Sequence, residues 1–520
     1  MIDKILIRGV NWIGDAVMTM PAIRALRKAF PESKISLLVK PSVSPIFEAD
    51  PNIDEIILLY EDRFKGVIGK LRLAMILKKK GFSKAILLQN AFDAALTTFL
   101  AGIPERIGYN RDGRGFFLTK PIPFNNDDRK IHHIDYYLNL LKSAGITADF
   151  SKPWIYLSLE ERLKAREKLS LLKRPILGIN PGATYGSAKR WFPERFAEVA
   201  NWFVKETGGS VIIFSGKGEV DTAKEIEITM LKSWKDKNFS VSQALNFSTS
   251  QLLNLAGKTS LRELISLIFE CDVFVTNDSG PMHIAYAVGT PLVAIFGSTD
   301  PKLTGPLGNS NKVIKADFAC SPCFERTCKN SDMRCMYAVT SEDVYFAVKE
   351  ILPDKRAVFF DRDGTLCMDA HYLNDWKDFK VFPEVDGLGE LKKAGYRLIG
   401  VSNQSGIQRG LVDKSFAEAV NQVFIDKYGF DDFYYCPHGP NEHCSCRKPE
   451  PGMLLKARAQ HMINLKQSYV VGDKDADMLL AKAVGAKGIL IRTGKQQESA
   501  HADFEVENLK DVVDLIISHG

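Results

Sequence analysis

The sequence predicts an α/β protein from end to end, built on parallel sheets covered by helices on both faces. Three observations predict it. Short β-branched runs alternate with amphipathic helical stretches along the whole chain. The runs are apolar on both faces, as strands buried inside a parallel sheet are. Several of them end in a Gly- or Asp-bearing turn that opens straight into a helix.

The expected strands are Lys4–Arg8, Ile35–Val39, Ala85–Leu88, Ile176–Ile179, Val211–Phe214, Val273–Thr276 and Leu292–Phe296, then Val358–Phe360, Leu398–Ser402, Tyr469–Val471 and Ile489–Arg492. A length of 520 residues, at about 150 per domain, allows three to four domains. Two boundaries stand out. Ser151–Tyr156 leads into a charged helix, Glu160–Lys173, before a strand begins after Pro175, and Lys349–Asp361 passes from a helix end to a first strand within a few residues. The expected units are residues 1–165, 166–352 and 355–520.

Apolar residues make up 45% and charged residues 25%, proportions of a globular chain that exclude collagen, coiled coil and disorder. No apolar run reaches the ~18 residues of a membrane span, and the opening passes from Met1–Gly9 into Asn11–Asp15 without a signal-type apolar stretch. A cytoplasmic chain is expected. The net charge of +6 is modest for this length and gives no reason to expect nucleic acid. Seven of the nine cysteines cluster, four at 320–335 and three at 436–446, while Cys271 and Cys367 stand alone; in a cytosolic chain such clustering favours metal ligation over disulfides.

The strongest motif is Ala357-Val-Phe-Phe-Asp361-Arg-Asp363-Gly-Thr365. A buried strand delivers two carboxylates at i and i+2, on one side of its carboxyl end. One can attack phosphorus while the other protonates the leaving oxygen, and both can hold Mg²⁺, which offsets the repulsion between two anions. A second strand ends in Ser402-Asn403-Gln404-Ser405, with a hydroxyl and amides suited to phosphoryl oxygens. Cys446-Arg447-Lys448-Pro449 supplies cations for charge that develops in phosphoryl transfer. Val471-Gly472-Asp473-Lys474-x-x-Asp477 ends a further strand with another carboxylate for Mg²⁺. Between these segments, Cys436-Pro-His438-x5-Cys444-x-Cys446 offers three thiolates and an imidazole, a closed tetrahedral Zn²⁺ set of structural type.

Nucleophile, hydroxyl, lysine and acidic pair on successive strand ends resemble the haloacid dehalogenase superfamily of phosphohydrolases, over Lys355 to about Ser518. With a zinc loop and no room for a large cap, the segment is similar to two activities of that superfamily. These are D-glycero-D-manno-heptose 1,7-bisphosphate 7-phosphatase and histidinol-phosphate phosphatase. The resemblance implies Asp361 as nucleophile and Asp363 as general acid and base. It implies Ser402 and Lys448 as transition-state stabilisers, with Ser402 standing where the family more often has Thr. Asp361, Asp363 and Asp473 would hold Mg²⁺. Asp369, Ala370, His371 and Tyr372 would form one substrate loop and Ser402–Ser405 another. Arg447 would recognise substrate and Lys474 would touch phosphate.

In the first two thirds, Cys271-Asp-Val-Phe-Val-Thr-Asn-Asp278-Ser279-Gly280-Pro281-Met-His283 reads as strand, polar turn and helix. Asp278 or Ser279 can cap that helix, and its free N–H groups favour a pyrophosphate. Asn180–Trp191 places Lys189 in a Gly-rich loop before a helix starting near Pro193, and Phe214–Glu219 ends a strand with an acidic residue able to accept a ribose hydroxyl. Asp15 falls at the first strand-to-helix turn, facing a crevice. These residues resemble glycosyltransferase family 9, the heptosyltransferases of lipopolysaccharide core assembly, from Ile2 to about Leu352. The resemblance implies a two-lobed GT-B fold, ADP-heptose in the second lobe and a lipid A-linked acceptor in the first. Asp15 would be the base of an inverting displacement and Lys189 would meet the diphosphate. Asp278, Ser279, Gly280 and His283 would bind the donor, and transfer would need no metal.

Cys320-x2-Cys323-x4-Cys328-x6-Cys335 recurs in heptosyltransferase II-like members; metal binding and four free thiols both stay open for it. Arg63–Lys84 contains eight Lys/Arg and no Asp or Glu. Its default reading is a solvated face, and beside an anionic lipid acceptor it is a candidate for peripheral contact with the inner membrane. The combined expectation is a bifunctional enzyme of heptose metabolism. The rivals are the same transferase joined to a histidinol-phosphate phosphatase, or one half serving only as a binding scaffold.

Overall fold

The computed structural model describes residues 3–235 and 251–519; Met1, Ile2 and Gly520, the outermost residues of the expected units, lie outside them. The chain divides into two compact units, Met1–Ile351 and Leu352–Gly520, each considered by itself.

The first unit holds two six-stranded sheets. One contains β1 (Lys4–Arg8), β2 (Lys34–Val39), β3 (Glu55–Leu58), β4 (Lys84–Leu87), β5 (Glu105–Tyr109) and β6 (Lys120–Ile122), in spatial order β3-β2-β1-β4-β5-β6. The other contains β7 (Ile176–Asn180), β8 (Ser210–Ile213), β9 (Leu252–Asn254), β10 (Val273–Asn277), β11 (Leu292–Phe296) and β12 (Asn311–Lys315), in order β9-β8-β7-β10-β11-β12. The second unit holds β13 (Arg356–Phe360), β14 (Tyr396–Asn403), β15 (Asp432–Cys436), β16 (Tyr469–Gly472), β17 (Lys487–Ile491) and β18 (Phe504–Val506), in order β15-β14-β13-β16-β17-β18. All pairings are parallel. Each sheet therefore runs 3-2-1-4-5-6 in its own numbering, with the chain reversing direction beside its first strand, where a crevice opens at the carboxyl ends. The α/β reading holds throughout, with the doubled sheet of the first unit matching the GT-B pattern.

One aspartate device recurs across the sheets. Asp54, just ahead of β3, accepts the Ile35 amide at 2.7 Å, and Asp272, ahead of β10, accepts that of Ile176 at 2.7 Å. Asp431, ahead of β15, takes the Leu398 amide at 2.9 Å, and Asp503, ahead of β18, takes that of Gly488 at 2.8 Å. In each case the carboxylate satisfies an amide at the start of the neighbouring strand and fixes the parallel register.

All six edge strands, together with β5, were absent from the sequence expectation. The edge strands are short, none is buried along its whole length and all but β9 carry charge (Glu55, Lys120, Lys312, Asp432, Glu505), so the two-faced apolar run that marks a central strand is missing. The helix at Leu159–Lys168 begins with a capping box between Ser158 and Glu161, and the expected boundary at residue 165 falls inside it. Its Arg166 reaches the fully buried carboxylate of Glu270 at 2.9 Å, and Arg174 reaches the same carboxylate at 3.2 Å and Asp272 at 2.9 Å. That helix is thus tied to the second sheet.

Glu270→Ala leaves two guanidinium groups facing an emptied buried site. A fully buried pair loses about 3–5 kcal/mol when one partner is removed. Because Arg166 and Arg174 are 28% and 29% exposed, the expected loss is about 2 kcal/mol. Hydrogen exchange should show it in peptides of residues 3–351 and leave those of 352–519 unchanged.

Candidate active sites

In the second unit β13 is central, flanked by β14 and β16, and Asp361 follows it directly, its amide donating to Val471 O at 2.9 Å. Burial would raise the Asp361 carboxyl, but the Lys448 and Lys474 ammonium groups outweigh it and hold it below the ordinary value. Lys448 Nζ lies 2.8 Å from Asp361 Oδ1 and 2.6 Å from Asp477 Oδ1, itself 3% exposed. Burial disfavours that ammonium, yet the two carboxylates raise it and keep it charged. Lys474 Nζ stands 2.8 Å from Asp473 Oδ1 and 3.7 Å from Asp361 Oδ2. Gly364, at φ +91°, makes the turn after the two aspartates; a Cβ there would sit 2.5 Å from Asp473 Oδ2, so only glycine lets the strand ends close.

Asp361, Asp473 and Asp477, all buried, bring carboxylate oxygens within 4.8 Å of one another. Burial and the Asp361 charge push Asp473 up, and burial pushes Asp477 up to about 7. Asp477 Oδ1 takes the Lys448 ammonium at 2.6 Å, while its Oδ2 has no hydrogen-bond partner among the described residues. Three carboxylates against two ammonium groups, with Asp477 Oδ2 unpartnered, fit a divalent cation of oxygen-ligating type. Asp477, quoted in the motif but given no role, belongs to this group. Asp363 does not. Its carboxylate is held in a fork by Arg362 (3.0 and 3.0 Å) and accepts from Gln404 Nε2 at 2.7 Å, while its carbonyl oxygen faces Lys474 Nζ at 3.4 Å. Of the expected Mg²⁺ set, Asp361 and Asp473 lie in this cluster, while Asp363 turns its carboxylate to the adjacent guanidinium and its carbonyl oxygen toward Lys474.

The remaining residues surround this centre. Gln404 Nε2 also donates to Ser402 Oγ at 2.7 Å, and Asn403 and the Lys448 backbone exchange hydrogen bonds of 3.0 and 3.3 Å. Ser405 follows on the same strand end. Asp369 is 2.9 Å from Lys495 Nζ and accepts the His371 amide at 2.9 Å. Ala370 is exposed, and His371 and Tyr372 both have positive φ (61° and 124°), a strained conformation for such side chains. Arg409 anchors Tyr372 through its hydroxyl at 2.7 Å.

The Cys436 Sγ, His438 Nδ1, Cys444 Sγ and Cys446 Sγ atoms lie 3.3–3.5 Å apart wherever they meet. Vertices of a tetrahedron with such edges lie about 2.1 Å from its centre, within about 0.2 Å of zinc–ligand distances. Cys436 ends β15, paired in register with Asn403 of β14, and Arg447 donates to His438 O at 3.2 Å. The loop that ends in Lys448 is therefore pinned at both ends. Among the described residues these two are the groups able to share an ion; the Cys320–Cys335 set is not one. That segment instead braces the Gly-rich loop of the second sheet. Phe324 N donates to Ser298 O at 2.7 Å, Tyr185 OH to Phe324 O at 2.9 Å and Ala188 N to Arg326 O at 3.1 Å.

In the first unit, Asp278 follows β10 and is 5% exposed. Its Oδ2 accepts from Lys189 Nζ and from Thr299 Oγ1 at 2.6 Å. Ser279 is the N-cap position of the helix Gly280–Val288 without capping it through its side chain. Its hydroxyl lies 3.1 Å from Thr276 Oγ1 and its carbonyl oxygen accepts the Met282 amide at 3.1 Å; with Pro281 lacking an N–H, the Gly280 amide is the first-turn donor left for a ligand. Glu219 accepts the Ala183 amide at 2.8 Å and pairs with Arg190 at 3.1 Å. It anchors the loop that carries Lys189. His283 is buried; burial drives its imidazole down to about 4, so it is neutral. It packs on Gly14, where a Cβ would come within 2.6 Å of the ring, and this glycine lets the N-termini of the helices Ile13–Ala29 and Gly280–Val288 meet. Asp15, in the first turn of the former, is one-third exposed with His133 Nδ1 at 3.8 Å. His133 carried no motif and was legible only from the fold.

The sequence profile of glycosyltransferase family 9 (heptosyltransferase) matches residues 70–334, and that of HAD-hydrolase-like proteins matches 445–516. The chain is 32% identical over 322 residues to lipopolysaccharide heptosyltransferase 2 of Escherichia coli (strain K12), covering 60% of this chain and 88% of that protein. It is 35% identical over 173 residues to D-glycero-beta-D-manno-heptose-1,7-bisphosphate 7-phosphatase of Helicobacter pylori (strain J99), covering 32% of this chain and 99% of that protein. The solved structure of E. coli ADP-heptose lps heptosyltransferase II superposes with a TM-score of 0.56 at 26% identity, covering 67% of this chain and 98% of that one. With a profile spanning half its length and relatives of both kinds matched over most of theirs, the chain belongs to glycosyltransferase family 9, the heptosyltransferases, and joins to it a haloacid dehalogenase-type unit homologous to heptose-bisphosphate phosphatases.

Proposed function

We propose that the chain is a bifunctional enzyme of lipopolysaccharide inner-core heptose biosynthesis. The first unit transfers heptose from ADP-heptose to a heptosyl-Kdo-lipid A acceptor with inversion; the second hydrolyses the 7-phosphate of D-glycero-D-manno-heptose 1,7-bisphosphate. The observation that carries the second half is the buried Asp361–Lys448–Asp477 array with Asp473 beside it, at the central strand end. The first half is carried by the crevice that gathers Asp15, His283, Asp278 and Lys189.

In the phosphatase, Asp361 attacks phosphorus through a carboxylate that Lys448 keeps ionised, forming an aspartyl phosphate. Asp363, oriented by Arg362 and Gln404, gives its proton to the leaving sugar oxygen and then takes one from the water that attacks the aspartyl phosphate. Ser402 and Lys448 stabilise the phosphoryl oxygens, and Asn403, Gln404, Ser405, Arg447 and Lys474 line the substrate side with the Asp369–Tyr372 loop. Mg²⁺, held by Asp361 and Asp473 with Asp477 adjoining, would neutralise charge between nucleophile and substrate. Zn²⁺ on Cys436, His438, Cys444 and Cys446 would be structural. In the transferase, Asp15 accepts the proton of the acceptor hydroxyl as it displaces ADP from the anomeric carbon. Lys189 and the N-terminal end of the Gly280–Val288 helix take up the diphosphate charge, and Glu219, Asp278, Ser279 and His283 bound the donor pocket. Units 1–165, 166–352 and 355–520 would act as acceptor lobe, donor lobe and phosphatase, with the chain working in the cytoplasm beside the inner membrane.

Asp361→Asn should abolish phosphate release from heptose 1,7-bisphosphate and leave transfer from ADP-heptose intact. Asp15→Asn should lower transfer by about 10²–10⁴-fold, the usual size of a general-base contribution, and leave phosphate release intact. Faster release from histidinol phosphate than from the heptose ester would overturn the sugar assignment, and loss of both activities from either change would refute separate sites. Cys444→Ser should cost the chain about one equivalent of zinc, since a three-ligand set holds the ion less tightly. Elemental analysis would follow the metal, and phosphatase activity should fall while transfer persists.

A further inference from the structure

The helix Gly66–Lys80 buries one face, Gly69, Leu73, Ala74 and Leu77, against the first sheet's core. Its opposite face is not the polar surface expected of such a helix. Val67, Ile68, Leu71 and Met75 point outward, exposed by 76%, 69%, 44% and 56%. At spacings of three and four they form one apolar stripe. The cations divide into two sets. Lys70, Lys80 and Lys84 pair with Asp93, Glu55 and Glu105. Arg63, Lys65, Arg72, Lys78 and Lys79 have no acidic partner among the described residues, and the segment holds no Asp or Glu of its own. A groove of about 340 Å³ combines both features, with Phe64, Met75 and Ile76 as apolar lining and Arg63, Arg72 and Lys79 around them.

We propose that this face docks the first unit onto an anionic lipid bilayer, the apolar stripe entering the headgroup–acyl boundary and the unpaired cations meeting lipid phosphates. Charge complementarity selects the occupant: a protein partner would need a run of acidic side chains matched to five cations, whereas an anionic leaflet offers negative charge over an apolar interior without specific matching. No helix among the described residues is long and apolar enough to cross a membrane, so such contact is peripheral. The position adds to this. At its N-terminal end the helix lines a cavity of about 250 Å³ with Arg8, Asn11, Leu38 and Gln89, at the carboxyl ends of β1, β2 and β4. Docking would bring the mouth of that cavity to headgroup level. The proposal goes beyond the transferase reading and rests on exposure and charge, whichever sugar is transferred.

The test is sedimentation of the full chain with vesicles containing phosphatidylglycerol, and with vesicles of phosphatidylcholine alone, at low and high salt. Binding should favour the anionic vesicles by at least about tenfold and weaken with salt. Ile68→Ser with Met75→Ser, and separately Arg72→Glu with Lys79→Glu, should each reduce it by at least about tenfold. Phosphate release, and transfer to a delipidated acceptor, should stay at the unsubstituted level and serve as folding controls, so that failure of docking is distinguishable from failure of either activity. Equal binding to both vesicle types, or binding that the substitutions leave untouched, would overturn the proposal. So would a change from dimer to monomer in the Ile68→Ser, Met75→Ser chain without loss of vesicle binding, which would mark the face as a contact between copies.

Discussion

A parallel sheet that begins in its own middle must send the chain outward in one direction, bring it back across the first strand and finish on the other side. That constraint operates three times in this chain. Each time the reversal leaves a gap between two adjacent strand ends, and polar side chains can stand there without breaking a strand–strand hydrogen bond. Asp361 occupies one such gap, beside Val471 and Ser402, and Asp278 stands at the end of a central strand in another. The chemistry depends on this, because the strand ends are rigid and the side chains they present have few other places to go.

In the phosphatase unit the gap is filled with charge that would be untenable if any member were missing. Lys448 reaches a buried position only because Asp361 and Asp477 meet it there, and those carboxylates are tolerable only because Lys448 and Lys474 offset them. The array leaves one negative charge and the Asp477 Oδ2 over, so it can take a cation rather than close on itself. The four-ligand loop at Cys436–Cys446 belongs to the same design. It begins in register with Asn403 and ends one residue before the Arg447–Lys448 pair, so a metal there would hold Lys448 at a fixed distance from Asp361.

The transferase unit achieves its order with fewer buried charges and more backbone contact. Glu219 holds the Gly-rich loop by an amide and by Arg190, the Cys320–Cys335 segment presses on its other side, and Lys189 is left projecting toward Asp278. The loop carrying Lys189 is thus held rigidly, while Asp15 keeps one-third of its surface open.

The central strands, the α/β class and the motif residues at strand ends were legible in the sequence because they depend on local signals: apolar runs buried on both faces, and turns whose composition permits only one geometry. Lys4–Arg8 and Leu292–Phe296 are found with the bounds their residues predict. The edge strands were not legible, since half-exposed segments such as Lys120–Ile122 carry mixed residues and acquire strand geometry only from the neighbour that pairs with them. The metal ligands divide the same way. Cys436, His438, Cys444 and Cys446 lie close enough in sequence for spacing to predict their convergence. Which carboxylates lie beside Asp361 and Asp473 depends on Arg362, which holds that of Asp363, and on the helix Asp475–Val484, which turns that of Asp477 inward. His133 beside Asp15 is a contact across 118 residues of chain. Composition and periodicity describe a residue's own neighbourhood; which distant charge will claim it is settled only when the sheets close and burial forces every ionised group to find a partner.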